Sequence, residues 1–325
     1  MSLSWKLSLG TAGAIGLKKL KTDALPTTAY IMLGEGCSCN CSFCAQARTS
    51  TAQGKFLSRI AWHEADFLTS VKAIVTAWQQ GKIKRVCLQV VNTPASLKLV
   101  KKALQAFKKY PALPVVVSSN FASVEQATEL FSLGAARLGL ALDAATPKLF
   151  AQIKGGSFAT RWQLLCACAE KFPQRITTHL IVGLGETELE MWQRLCACVA
   201  KQITVGLFAF TPLPGTPMAH FSAPDRSSYR RLQIGLELLR QGYGAEIVLC
   251  DNQRITGLAL KNAAQLLANG QAFLTCGCAD CNRPYYNDHP GHILYNYHRP
   301  LTAEELALAF KESGIIKESE QRANS

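Results

Sequence analysis

Acidic residues are scarce in this chain: 22 Asp and Glu stand against 35 Lys and Arg, leaving a formal net charge of +13. Such an excess points to an acidic partner. The cations are scattered, and no nucleic-acid motif accompanies them. An acidic protein or a phosphate-bearing ligand is therefore expected, and no nucleic acid. Also missing is any apolar run of the roughly 20 residues needed to cross a bilayer, so no membrane association is expected. The opening MSLSWKLSLGTAGAIGLKKLK superficially resembles a secretory signal. However, Gly10, Thr11 and Gly13 break its apolar stretch, and no small-residue cleavage site follows. There is no internal repeat and no low-complexity linker to mark a domain boundary. Only 18% of residues are charged and 48% are hydrophobic, which excludes global disorder.

Cysteine, in contrast, is plentiful, with 13 in the chain. Disulfide scaffolds are short, whereas 325 residues can build their own core. Metal ligation in a reducing, cytoplasmic setting is the better reading. Four cysteines fall in GEGCSCNCSFCAQAR (34–48) and three in CGCADC (276–281).

Short β-like runs alternate with amphipathic helical periods. The expected strands are 29–33, 86–91, 114–119, 138–142, 176–182, 205–210, 246–250 and 271–275. In AWHEADFLTSVKAIVTAWQQG, residues Leu68, Val71, Ile74, Val75 and Trp78 recur at helical spacing. Ser123 should cap a further helix that Gly134 stops. Eight strands separated by helices predict an α/β fold, a (β/α)8 TIM-type barrel with its chemistry in the loops after the strands. The expected layout is an N-terminal extension (1–28), the barrel (29–282) and a C-terminal extension with a short helix near 303–312 and a charged, disordered tail (283–325). Both cysteine clusters would follow strands that are neighbours in a closed barrel and would open onto one mouth.

Cys37, Cys41 and Cys44 have the spacing C-x3-C-x2-C, with the aromatic Phe43 before the last. Three thiolates on one loop suit three irons of a [4Fe–4S] cube, leaving the fourth iron open. A structural zinc usually takes four ligands, often in two separated pairs. The alternative register Cys39, Cys41, Cys44 repeats the C-x-C-x2-C spacing of the later cluster, and spacing alone does not dismiss it.

The motif resembles that of the radical S-adenosylmethionine (SAM) enzymes, most closely the biotin synthase type. The resemblance implies that Cys37, Cys41 and Cys44 bind the cluster and that SAM occupies its open iron, with Cys39 a bystander. IVGLGETE (181–188) resembles the glycine-rich segment beside SAM, which brings in Gly183 and Glu186. LDAATPKLF (142–150) resembles the ribose-contacting strand end, with Asp143 in the acidic role. Arg161 takes the place of the arginine that pairs with the SAM carboxylate, a task suited to a guanidinium fork. Ser119 and Asn120 are further candidates. The asparagine expected two residues before Asp143 is Ala141 here.

Biotin synthase also holds a cluster on cysteines within the barrel strands. Only Cys87 has such a counterpart, while Thr177, Thr178 and the run VVVSSN supply none, so Cys87 is read as a small core residue. In exchange, Cys276, Cys278 and Cys281 suggest an auxiliary [4Fe–4S] cluster, against a zinc knuckle or simple packing. Its fourth ligand stays open between Cys250, Asp280, sulfide and substrate. TCGCADCNRPYYNDHPGHILYNYHRPL resembles a signature of the two-component lipoyl synthases. That resemblance implies sulfur insertion into an octanoyl chain on an acidic carrier protein or peptide. It further implies a second lipoyl synthase component and a reductase such as ferredoxin or flavodoxin. The competing expectation is an isomerase, lyase or cofactor-maturation enzyme whose auxiliary cluster survives turnover. A non-enzymatic iron–sulfur carrier would need none of the SAM-site matches. Cys166, Cys168, Cys196 and Cys198 read as helix residues that do not chelate. His179, Arg283, Tyr285 and Tyr286 have structural and functional readings of equal weight.

Overall fold

TAYIML, residues 28–33, is buried along its whole length, which requires both faces of the strand to be covered. The computed structural model describes residues 4–52 and 56–316 and supplies that cover. The chain begins with β1 (Ser4–Ser8), α1 (Leu9–Ala14), β2 (Thr28–Leu33), β3 (Phe56–Leu57), β4 (Ile60–Asp66) and α2 (Phe67–Gln79). It continues through β5 (Arg85–Val90), α3 (Ser96–Phe107), β6 (Val115–Ser118), α4 (Val124–Ser132), β7 (Ala135–Gly139), α5 (Pro147–Ile153) and α6 (Phe158–Lys171). Then come β8 (Ile176–Val182), α7 (Glu188–Ala200), β9 (Thr204–Ala209), α8 (Arg226–Arg240), β10 (Val248–Asp251), β11 (Arg254–Leu258), α9 (Ala263–Leu266) and α10 (Ala303–Ser313).

β2, β5, β6, β7, β8 and β9 are parallel neighbours in that order. The sheet curls, because side chains from β2 (Tyr30, Met32) and from β9 (Phe208, Ala209) line one cavity. Helix caps fall where side chains can take orphan amides. Ser123 accepts from the Gln126 amide, Gly134 leaves α4 at φ +101°, and Thr187 and Glu190 cap α7 reciprocally.

The expected eight-stranded barrel is thus corrected to six parallel strands. Residues 246–250 fail as a wall strand because three of the four residues of β10 are exposed, and a parallel strand must bury both faces. Asn252 and Gln253, both at positive φ, turn β10 straight back into β11 as an antiparallel hairpin. Residues 271–273 form a single 3-10 turn, and Leu274 makes only an isolated bridge to Tyr297.

On the far side of β2 the sheet extends antiparallel through β1, β4 and β3. Trp5, Leu7, Ala12 and Ile15 of the signal-like opening are core residues. Only the second half of AWHEADFLTSVKAIVTAWQQG is helical, since Asp66 caps α2 through the Thr69 amide. Leu68 correspondingly faces solvent, 65% exposed.

Side chains and loop close the gap between β9 and β2 where two strands were expected. Cys276 Sγ accepts from the Leu207 amide of β9, and Asn287 Nδ2 donates to the Ala209 carbonyl. At the other edge, Asn282 Oδ1 accepts from the Thr27 amide at 2.9 Å, and Tyr30 shares a hydrogen bond with Cys281. Buried Arg230 and Arg231 of α8 hold the rest of this segment through Leu294 O, Tyr295 O, Glu312 and Ser313 O. The expected charged tail, from 317 on, lies outside the described residues. Among the described residues no helix is long and apolar enough to cross a membrane.

Candidate functional site

The loop after β2 leaves the strand at Gly34 and Gly36, both at positive φ, and carries Cys37, Cys39, Cys41, Phe43 and Cys44 to a cavity of about 350 Å3. Its backbone is tied on three sides: Ser38 N to Asn92 O (2.7 Å), Ser42 N to Ile153 O (2.8 Å) and Thr51 N to Gly215 O (2.9 Å). The loop is therefore positioned by its neighbours and not by its thiols. No three Cys, His, Asp or Glu side chains among the described residues are placed to hold one metal ion. A cube asks for something different, one iron per thiolate, and three cysteines spread along one wall of an open cavity fit it.

Burial lifts the thiols of Cys41, to about 12, and of Cys44. Cys37 is raised chiefly because its thiol donates to Cys39. The latter is lowered to about 6, first by accepting that bond and then, against its own burial, by Asn92 Nδ2 at 3.2 Å. Metal binding must expel the remaining protons. All four cysteines line the cavity, so placement alone does not choose between the two registers.

Ser119, Asn120, Asp143 and Arg161 share this cavity with the cysteines. Arg161 donates to Asn120 Oδ1, and burial pulls its guanidinium below the ordinary range. Asp143 sits at φ +62°, stitched between His179 O and Ile181 N. Its Oδ2 is engaged by Lys154 Nζ at 2.6 Å, and the same ammonium reaches Ala141 O at 2.7 Å. Lys154 was not read from the sequence, since a lone lysine at a helix end carries no spacing signal.

Gly183 and Glu186 do not line the cavity. The Glu186 carboxylate accepts from the Gly183 and Leu184 amides at 2.7 and 3.0 Å, closing the turn after β8. Gly183 is held at φ +99°, where a Cβ would meet Pro224 at 3.0 Å.

His179 does line the cavity, edge-on to Phe208. Desolvation lowers its pKa to about 4, so it is neutral near pH 7. Its folded value lies below the unfolded value of about 6.5, so the stability it allows is complete above pH 6.5. As pH falls from 6.5 to 4 the unfolded chain takes the proton first, removing up to about 3 kcal/mol. His179→Gln should flatten that limb of the stability–pH curve in denaturant titrations. An unchanged limb would place the acid sensitivity elsewhere.

Cys276, Cys278 and Cys281 depart from expectation: they line a second cavity, about 650 Å3, at the end where the strands begin, with Thr27, Lys84, Arg137 and Thr204. The two clusters do not share a mouth. Residues 271–274 form no wall strand that would carry the loop to the upper end, so it enters the barrel beside mid-β9. A thin wall separates the cavities. Tyr30 lines the upper one and bonds Cys281, and Arg283 lines the upper one and donates to Cys276 O. Asp280 lines the lower cavity and pairs with Arg85, whereas Cys250 sits exposed on the β10–β11 hairpin. Cys168 and Cys198 are buried helix residues, with Cys166 and Cys196 half-buried.

The model of the radical SAM superfamily matches residues 31–196. An uncharacterized protein of Methanocaldococcus jannaschii is 25% identical over 199 residues, 59% of this chain and 51% of that protein. The [FeFe]-hydrogenase maturase HydG from Carboxydothermus hydrogenoformans superposes with TM-score 0.52 at 15% identity, covering 67% of this chain and 52% of that one. A second HydG structure gives 0.52 at 12% identity, covering 65% and 49%. This chain spans about half the length of these proteins. At such identities the structures speak for the fold alone.

Proposed function

The chain belongs to the radical SAM superfamily, and on that premise we propose that it inserts sulfur into an octanoyl chain borne by an acidic carrier protein or peptide, as one component of a two-protein lipoyl synthase. The observation that carries this reading is the stacking of two cysteine triads along the barrel, with Tyr30 and Arg283 reaching from the upper cavity to the lower triad. When bound, a [4Fe–4S] cluster with SAM at its open iron supplies a 5′-deoxyadenosyl radical for hydrogen abstraction, and an auxiliary iron–sulfur cluster supplies sulfide.

Cys37, Cys41 and Cys44 would hold the first cluster, and Cys276, Cys278 and Cys281 the second. Arg161, kept in place by Asn120, suits the cosubstrate carboxylate. Asp143, already paired with Lys154, suits a ribose hydroxyl. Neutral His179 keeps one N–H donor and one ring-nitrogen acceptor but is no general acid near pH 7. Met32, Trp62, Phe150, Phe208 and Leu213 give the upper cavity the apolar walls an alkyl chain requires, and they exclude water from the reacting carbon. The electron would come from a ferredoxin or flavodoxin, and a reducing cytoplasm is the setting this chemistry demands.

The test is isotopic. Protein reconstituted with labelled sulfide, given an octanoylated carrier peptide, SAM and reductant, should return labelled sulfur in the product by mass spectrometry after one turnover. Hydrogen abstraction with the auxiliary cluster intact and no sulfur in the product would reject the proposal in favour of an isomerase, lyase or maturation enzyme. Carrier binding should also weaken severalfold as ionic strength rises from about 0.05 to about 0.5 M, because the chain's positive excess is screened. Salt-independent binding would count against an acidic carrier.

A further inference from the structure

Polar atoms with no partner gather around the lower triad. Among the buried side-chain nitrogens and oxygens that lack a hydrogen bond are Arg283 Nε, Arg85 Nε, Thr28 Oγ1 and His298 Nδ1. His298 lines the lower cavity, Arg85 pairs in register with Thr28, and Arg85 also contacts Asp280 between Cys278 and Cys281. Orphaned polar atoms are rare in folded proteins, and a local concentration of them marks a group not yet in place.

Arg283 sharpens the point. Its guanidinium stacks over Phe208 at 4.1 Å, inside the barrel. The groups acting most strongly on it are the thiols of Cys281 and Cys276 and the hydroxyls of Tyr30 and Tyr286, with the thiols of Cys87 and Cys278 also near; Asp288 shares a small cavity with it, yet no ion pair among the described residues uses Arg283. A cation enclosed without an anion is costly. Thiols answer it only when deprotonated, as they are when they bind metal.

Cys87 faces the same place. On β5 it stands in register with Tyr30 of β2, whose hydroxyl shares a 3.0 Å hydrogen bond with Cys281 Sγ. Cys87 and Cys281 pack against one small apolar group formed by Tyr30, Met32, Trp62 and Val91. Burial raises the Cys87 thiol first, and the nearness of Cys278 and then Cys281 raises it further. Gln89 Nε2 donates to its sulfur at 2.9 Å, a bond that would support a thiolate.

We infer that Cys87 is the fourth thiolate of the centre held by Cys276, Cys278 and Cys281, and that Arg283 is the counter-charge of that centre. This deepens the reading above and rests on the lower triad binding iron and sulfide. It replaces Cys250, which the fold places on the outer hairpin, and it reverses the sequence-based view of Cys87 as core filling. Four thiolates on four irons leave no open iron at the second centre, so substrate would meet a bridging sulfide and not a vacant metal site.

The experiment uses the full chain with Cys37, Cys41 and Cys44 all changed to Ala, so that only the second centre reports. After anaerobic reconstitution, iron, zinc and acid-labile sulfide are assayed, and the reduced protein is examined by electron paramagnetic resonance. Adding Cys87→Ala should cut bound iron by about half or more, and Cys87→Ser should shift the resonance as oxygen replaces sulfur. Thermal melting of each apoprotein verifies folding. Iron content and spectrum unchanged in both variants would overturn the Cys87 assignment while leaving the triad's cluster standing. A parent that takes up no iron, or only zinc, would remove the underlying reading and the inference with it. Arg283→Met should retain iron and lower the reduction potential of the centre, since the oxidised, more positive cluster is favoured once a nearby cation is gone. An unmoved potential would eliminate the counter-charge role.

Discussion

Cys41→Ala, reconstituted with iron and sulfide, is expected to produce no 5′-deoxyadenosine from SAM under reducing conditions, a loss of at least about a thousandfold, or about 4 kcal/mol of barrier. Cys41 and Cys44 belong to either register of the first motif, so this result does not depend on choosing between them. Nor should the loss reflect unfolding. The bonds that fix the loop run from backbone amides at 38, 42 and 51 to carbonyls on two neighbouring loops and the end of α5, and none uses the Cys41 thiol. Circular dichroism of the variant should match that of the parent. The same assay then separates Cys37 from Cys39. Cys37→Ala should be as inactive as Cys41→Ala, and Cys39→Ala should keep most of the activity. The reverse pattern would move the cluster to Cys39, Cys41 and Cys44. Full activity in Cys41→Ala would end the radical SAM assignment of this loop. Cys166→Ala, on the outer helix α6, serves as the control that should change nothing.

Local pattern carried much of this site. The wall strands were legible because runs such as TAYIML and ITTHLIV are apolar and β-branched enough to be covered on both faces, and the cap at Ser123 because its chemistry is local. The first cysteine motif was legible from spacing, which is a property of one loop. What escaped the sequence depends on distant partners. IAWHEAD became strand because β1, some 58 residues earlier by register, needed a neighbour (Lys6 opposite Glu64). The second triad went below the barrel instead of above it because Asn282 is anchored at Thr27, 255 positions away. VLCD looked like a buried strand, yet the turn at Asn252 and Gln253 folds it into a hairpin on the outside. Gly183 and Glu186, expected from the resemblance to lie beside the cosubstrate, build a carboxylate-bonded turn after β8, a pairing that the sequence pattern alone did not show.

Lys154→Met is expected to destabilise the protein by about 3–5 kcal/mol in denaturant titrations, much more than the loss of an ordinary surface pair. The ion pair with Asp143 spans 2.6 Å, and each side chain is only 10% exposed. Removing the ammonium leaves an enclosed carboxylate without its ion-pair partner, with only the more distant Arg161 guanidinium acting on it, and it also frees the Ala141 carbonyl that the same ammonium holds. The penalty arises from the stranded charge, so it should be reversible: Asp143→Asn combined with Lys154→Met should recover most of the stability, because neither charge remains. Lys101→Met provides the contrast. Its pair with Glu129 is equally short, at 2.5 Å, but 40% and 43% exposed, and it should cost no more than about 1 kcal/mol. If Lys154→Met were as mild as Lys101→Met, Asp143 would have to find water or another donor in the cavity, and its pairing would not be what fixes the left-handed residue at φ +62°. If instead the double variant recovers stability but binds SAM poorly, the pair is retained for the carboxylate it presents to the cosubstrate and not for the fold. That outcome matches a residue held in a strained conformation at the mouth of a site, where backbone strain is typically kept for function.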